Sequence, residues 1–114
     1  MARPLRPIVP GGFYHVVTRG NNRMLIFLSE DDRRFFLHLL ATVTRRYRWR
    51  VHAYCLMGNH YHLVIETRMP NLDLGMRDLN GGFARGFNQL YDRQDHVFGK
   101  RYWSEPIEIG RAHV

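Results

Sequence analysis

The sequence predicts a single α/β domain, one sheet and the helices that pack on it, and three observations carry that prediction. The chain has 114 residues, enough for one core and too few for a core plus a separate catalytic module. Short runs rich in aromatic and β-branched residues alternate with two longer stretches whose apolar residues recur at three- and four-residue steps. A Gly-Asn pair divides two of the β-rich runs, which is a hairpin signal. A hydrophobic content of 45%, with 13% aromatic residues, fits a folded globular chain. No apolar run approaches the length needed to span a membrane, and residues 1–7 lack the apolar core of a signal peptide. The expected compartment is therefore cytoplasmic, with no membrane partner.

Residues 1–12 carry Arg3 and Arg6 among Pro4, Pro7 and Pro10. Proline neither donates to a ladder nor sits in a helix interior, so this segment reads as an extended basic arm. Residues 13–19 form the first strand, ended by Gly20-Asn21-Asn22, and residues 24–28 are a short apolar run that continues as a strand or leads into a helix. Ser29 with Asp32 three positions on resembles an N-cap and its acidic partner. Phe35, Phe36, Leu39, Leu40 and Val43 then follow at helical spacing and predict a helix over residues 30–47.

Residues 50–57 and 60–67 predict a second and a third strand, joined at Gly58-Asn59 because both residues accept the left-handed region. Cys55 is the only cysteine and lies in an apolar run, so it is expected to be a small buried hydrophobe. Asn71 is the expected N-cap of a second helix, whose stripe is Leu72, Met76, Leu79, Phe83, Phe87 and Leu90. Gly81, Gly82 and Gly86 interrupt that helix; they either kink it, the simpler reading, or permit close backbone approach. In residues 96–103 the basic pair Lys100-Arg101 sits between aromatics, which suits base stacking with phosphate contacts alongside and equally suits an edge strand.

The chemistry concentrates in Met57-Gly58-Asn59-His60-Tyr61-His62-Leu63-Val64-Ile65-Glu66. On a strand, side chains alternate, so His60, His62, Val64 and Glu66 face one way and Tyr61, Leu63 and Ile65 the other. Two imidazoles then share a face, their Cα atoms about 6.6 Å apart, close enough to lean onto one metal ion. Two hydrogen-bonded or solvated imidazoles remain the alternative at this point. The net charge of +7 and pI near 10.3 point to a polyanionic partner. Of the basic residues only Lys100 is a lysine, and the arginine fork suits phosphate and guanine contacts.

Several stretches taken together resemble the REP-associated tyrosine transposases, a branch of the HUH single-tyrosine transposases of the insertion-sequence 200-like kind. They are Met1-Ala2-Arg3-Pro4-Leu5-Arg6, Tyr14-His15-Val16, Arg19-Gly20-Asn21, Arg23 with Ile26-Phe27, Ala53-Tyr54-Cys55-Leu56-Met57 and Asn59-His60-Tyr61-His62. Leu79-Asn80-Gly81, Phe87-Asn88, His96-Val97-Phe98 and Arg101-Tyr102 complete the set, so the resemblance spans residues 1–108. Tyr61 stands where the family has a bulky hydrophobic residue, and Gly58 where it commonly has proline.

The resemblance implies a ferredoxin-like sandwich, an antiparallel sheet with helices on one face, over residues 13–108. It implies single-stranded or hairpin DNA as partner and His60 and His62 as ligands of a divalent metal, Mg²⁺ or Mn²⁺. The implied reaction is attack of a tyrosine oxygen on the scissile phosphate, giving a phosphotyrosyl link and a free 3′ hydroxyl. Arg3, Arg6, Arg19, Asn21, Arg23 and Arg101 are the expected DNA contacts. Family members occur as monomers and as dimers.

The family's nucleophilic tyrosine lies in a Tyr-Ile-x-x-Asn-Pro-like stretch downstream of the region matching Arg101-Tyr102, and no such stretch occurs here. Tyr91 and Tyr102 remain, at positions ordinary for core aromatics. Residues 109–114, Ile-Gly-Arg-Ala-His-Val, are what a common sequencing-adapter read would encode. The natural chain is therefore expected to continue past Glu108, its nucleophile beyond Val114, and this fragment to be inactive. The competing reading is a non-catalytic nucleic-acid-binding module on the same fold. A zinc hydrolase is disfavoured, because Glu66 lies about 13 Å along the strand from His62, too far to act as its general base.

Overall fold

The computed structural model describes residues 12–108. Their order is β1 (Phe13–Arg19), a 3₁₀ turn (Asn21–Arg23), α1 (Glu30–Tyr47), β2 (Arg50–Leu56), β3 (His60–Glu66), α2 (Leu72–Leu90) and β4 (Trp103–Ile107). The strands form one sheet in the order β2-β3-β1-β4, antiparallel throughout. Both helices lie on one face of it, which makes the α+β ferredoxin-like sandwich that the resemblance implies.

Alternation fixes which face each strand buries. Tyr14, Val16 and Thr18 of β1 and Tyr61, Leu63 and Ile65 of β3 are all at most 2% exposed. They meet Phe36, Leu40 and Val43 of α1 and Leu72, Met76, Leu79, Phe83 and Phe87 of α2 in one core. Each fully buried aliphatic side chain contributes roughly 1.5–3 kcal/mol. Phe36 packs on Tyr61 with ring centroids 4.5 Å apart, and Phe27, Phe36 and Phe83 meet edge to face.

Polar groups in that core fix the register of the two central strands. Thr18 and Tyr61 are cross-strand partners. The Tyr61 hydroxyl donates to Asn80 Oδ1 from α2, and Asn80 Nδ2 donates to Thr18 Oγ1 at 3.3 Å. Asn80 thus ties both members of the pair to one helix; a register slip of one residue would strand all three groups and turn the histidines inward.

Several local expectations are corrected. Residues 24–28 are not a strand but an irregular lead into α1: Ile26 and Phe27 are buried, and their N–H groups both donate to the Gly58 carbonyl, at 2.8 and 3.1 Å. The β2–β3 turn forms without left-handed backbone at Gly58 or Asn59; positive φ values fall instead at Asn22 (51°) and Arg23 (60°) in the 3₁₀ turn and at Arg48 (58°) and Asp92 (53°) after the two helices. Asn71 occupies the N-cap of α2 without capping it. Its amide is spent on the end of α1 and the link beyond it, accepting from Trp49 Nε1 at 3.0 Å and donating to the Tyr47 carbonyl at 3.0 Å.

The glycines of α2 do not kink it; the helix is continuous. A Cβ on Gly86 would sit 2.4 Å from the Phe35 ring, and one on Gly75 2.0 Å from the Trp49 ring, so these two positions admit aromatics from the neighbouring layer. Cys55 is exposed, because β2 is an edge strand and residue 55 points to the uncovered face. In the last segment the strand begins only at Trp103, with residues 96–98 held by a single bridge from Phe98 to Gly20.

Candidate metal centre and nucleic-acid face

The face of the sheet opposite the helices carries the site. His60 and His62 point there from β3, as their alternation predicts, and both are half-buried. Their rings lie 5.0 Å apart at 75°. Val17 of β1 is the cross-strand partner of His62, and Arg19 the partner of His60, so the Arg19 guanidinium stands on the same face. His15, two residues back along β1, reaches His62 diagonally. Its Nε2 lies 2.9 Å from His62 Nδ1, and the two rings stack at 5.2 Å.

These contacts are compatible with a tautomer pattern suited to a ligand pair. His60 Nδ1 lies 2.9 Å from Asn59 Oδ1, while the Asn59 amide nitrogen donates to the Arg23 carbonyl at 3.4 Å, which leaves Oδ1 as the acceptor. A proton on Nδ1 of each β3 histidine satisfies both contacts, to Asn59 and to His15. Both Nε2 lone pairs are then left for a cation, the arrangement in which a second partner orients a metal-binding imidazole. Partial burial, followed by the charges of His60, His15 and Arg19, holds the His62 imidazole below its ordinary pKa, so it favours the neutral form a ligand needs.

Backbone bonds assemble the rim. Gly20 N–H donates to the Asn59 carbonyl at 2.8 Å and Asn21 N–H to the Val97 carbonyl at 2.8 Å, so the 3₁₀ turn is stitched between the histidine hairpin and the segment before β4. A Cβ at Gly20 would meet the Met24 carbonyl oxygen at 2.3 Å, which explains the glycine. Between these elements opens a cavity of about 710 Å³. His15, His62, Arg19, Asn21, Arg23, Arg101 and Trp103 are among its lining residues. Every expected DNA contact within the described residues therefore faces one cleft; Arg3 and Arg6, with the rest of the arm, lie outside the described residues, as do residues 109–114. A second cavity, of about 750 Å³, runs along α2 and also takes in Arg101, with Arg77, Arg85 and Lys100. Arg101 is partly neutralised there by the Asp73 carboxylate at 3.6 Å.

A family model described as "Transposase IS200 like" matches residues 9–111. The chain belongs to the IS200-like transposase family. Among solved structures, the IS200-like chain is similar to the structure of a REP-associated tyrosine transposase bound to a REP hairpin, with a TM-score of 0.77 and 16% identity. That match covers 99% of this chain and 66% of the other, so the chain spans just under two thirds of the length of that relative. It is also similar to a crystal structure described as that of a transposase from Deinococcus radiodurans R1, with a TM-score of 0.67, 14% identity, and coverage of 98% of this chain and 89% of the other. No curated protein matches the chain.

The tyrosines of the IS200-like domain lie elsewhere. Tyr14 and Tyr61 are buried on the helix side. Tyr102 is also buried, its hydroxyl bonded to Asp73. Tyr91 donates to Asp32 at 2.7 Å beneath α1, an acceptor that raises its pKa, and Tyr47 donates to Asp78 at 2.5 Å. Tyr54 pairs across from Leu63 and so belongs to the helix side of the edge strand. Among the described residues no tyrosine lines the histidine cleft, and no group of three His, Cys, Asp or Glu side chains is arranged to hold a metal ion. Glu66 shares the histidine face but is bound to His52 at 2.9 Å. No helix among the described residues is long and apolar enough to cross a membrane.

The hairpin reading puts Asn59 beside the histidines, as the contact to His60 bears out, but it does not reveal His15 or Asn80 as positioning groups. Alternation alone puts His15 on the face of Arg19, but only the β1–β3 register brings it to His62.

Proposed function

We propose that the open face binds single-stranded or hairpin DNA and places one phosphate at His60 and His62, as the DNA-positioning part of a single-tyrosine transposase. The observation that carries this reading is convergence: Arg19, Asn21, Arg23 and Arg101 line the same cleft as His62, in a chain of net charge +7.

The donor set fits a weakly held divalent ion. With their protons on Nδ1, the two imidazoles would offer Nε2 atoms as part of a coordination shell, and water or a phosphate oxygen would supply the rest. Mg²⁺ or Mn²⁺ is the assigned ion, and when bound it would polarise the scissile phosphate. The chain's own side chains do the remaining work. Arg19, opposite His60, neutralises phosphate charge; Arg23 and Arg101 hold the flanking backbone; Asn21 has the amide needed to read an exposed base edge. In the full reaction a tyrosine oxygen attacks phosphorus, the bond from phosphorus to the 3′ oxygen breaks, and a phosphotyrosyl link and free 3′ hydroxyl result. That tyrosine is assigned outside residues 12–108, so the domain by itself positions DNA and does not cleave it.

The lack of a tyrosine on the cleft also favours a second reading, a non-catalytic binding module. His60→Ala separates the two. The transposase reading expects DNA binding strengthened by Mn²⁺ and loss of that strengthening in the variant; the module keeps its affinity and shows no metal dependence in either protein. A cleavage assay with Mn²⁺ on a hairpin DNA library completes the test, with binding and no denaturation-resistant adduct as the expected outcome. An adduct would overturn the assignment of the nucleophile and direct attention to Tyr91 and Tyr102.

A further inference from the structure

The two tryptophans occupy opposite environments. Trp49 is 4% exposed, its ring set against Gly75 and its Nε1 donating to Asn71. Trp103 is 49% exposed and opens β4 on the uncovered face. It is the partner of Val17, whose other neighbour is His62, so the indole stands two strands from the candidate metal ligand in one cross-strand row. Its ring meets His15 at 5.4 Å and 83°, edge to face. A perpendicular neighbour steadies an indole without stacking over it. Among the described residues Trp103 Nε1 has no hydrogen-bond partner.

A half-exposed indole on a cationic cleft offers an open ring face to a ligand. Arg19, Arg23, Lys100 and Arg101 line the same cleft. Cations that hold a phosphate chain beside an open π-face are the combination by which proteins take up unpaired nucleotides. Resting on the single-stranded DNA reading of this face, we propose that Trp103 is the stacking platform for one unpaired base next to the phosphate at His60 and His62. The platform is indifferent to which base arrives, because every base has a π-face. It selects unpaired over paired DNA, since a base inside a duplex already stacks on its neighbours.

The test uses the whole chain, with oligothymidine and a DNA hairpin bearing an unpaired flank as probes, in EDTA so that metal plays no part. Binding of either probe is expected to quench the exposed component of tryptophan emission, because Trp49 lies in the core. Trp103→Ala should weaken binding about tenfold or more and Trp103→Phe much less, since phenylalanine keeps a stacking face. Moving an abasic site along the unpaired flank should find one position at which wild type and Trp103→Ala bind alike. Equal affinity of wild type and Trp103→Ala for the intact probes overturns the proposal while leaving DNA binding in place. So does saturating binding without quenching, or blue-shifted Trp103 emission in the free protein, which would mean that another segment covers the indole. Failure of a folded wild-type chain to bind either probe, with folding checked by circular dichroism, overturns both the proposal and the reading beneath it.

Discussion

The two faces of strand β3 are built from the same seven residues and do opposite work. Toward the helices, Tyr61, Leu63 and Ile65 are 0% exposed and interlock with Phe36 and Phe83. Away from them, His60, His62 and Glu66 stand half-buried, with Arg19 opposite His60, His15 against His62 and His52 bonded to Glu66. The difference lies in what each face must exclude. The inner face excludes water and is held by packing, so it fixes the strand's position; the outer face keeps its imidazoles and guanidinium groups half-wet, which under the proposed function leaves them open to a charged ligand. Precision on the outer face is borrowed from the inner one. The pairing Thr18–Tyr61, tied by Asn80, sets the register that brings His15 to His62.

That division can be broken or sharpened by substitution. The largest effect belongs to the inner face: Leu63→Ala should destabilise the domain by about 2–5 kcal/mol through the cavity it leaves, measured by urea unfolding. His60→Ala and His62→Ala on the same strand should each cost less than about 1 kcal/mol. A histidine variant as unstable as Leu63→Ala would sink the separation of roles.

Next come the outer face's own functions. His62→Ala should abolish Mn²⁺ binding, read by the electron paramagnetic resonance of the free ion, with the unfolding midpoint nearly unchanged. Undiminished Mn²⁺ binding in that variant would remove His62 from the ligand set. A smaller loss is expected from His15→Phe, which keeps a ring and deletes the bond to His62 Nδ1. Loss of such an orienting partner typically weakens metal affinity about 10- to 100-fold. Nitrogen-15 spectra of wild type should show the proton of His62 on Nδ1, and the variant a mixture of tautomers.

The smallest expected effect lies in the helix layer. The Tyr47 hydroxyl, and then Arg46, hold the Asp78 carboxyl below the usual carboxylate range, joining α2 to the end of α1. Because the folded pKa is depressed, the stabilisation is complete above the unfolded value of 3.8 and disappears as pH falls through the folded value. The difference in melting temperature between wild type and Asp78→Asn should therefore shrink steadily as pH is lowered from about 5 toward 2. A constant difference over that range would show that the charged form gains nothing from the contact.

Much of the fold was legible because periodicity reports burial directly. The span of α1, both faces of β3 and the stripe of α2 from Leu72 to Phe87 follow from spacing alone, since a helix or strand that buries one side must repeat at its own period, whereas Leu90, the last residue expected in that stripe, is 66% exposed. Where a residue's role depends on a neighbour distant in sequence, spacing is silent. Asn71 sits at an N-cap, yet its amide goes to Trp49 and Tyr47; Gly86 and Gly75 look like helix breakers but receive aromatic rings. Cys55 looks buried by its apolar neighbours and is exposed because its strand lies at the sheet edge.

The same boundary runs through the site. By itself the sequence determined that His60 and His62 share one face, that the opposite face is apolar, and that the chain is basic enough to attract a polyanion, because these depend only on alternation and composition. Only the tertiary structure decided that Arg19, Asn21, Arg23 and Arg101 face the same cleft, that His15 and Asn59 engage the Nδ1 atoms, and that no tyrosine within residues 12–108 lines it. Those facts depend on strand order and register, which are fixed by contacts among β1, β3, β4 and α2 that no single stretch of sequence contains.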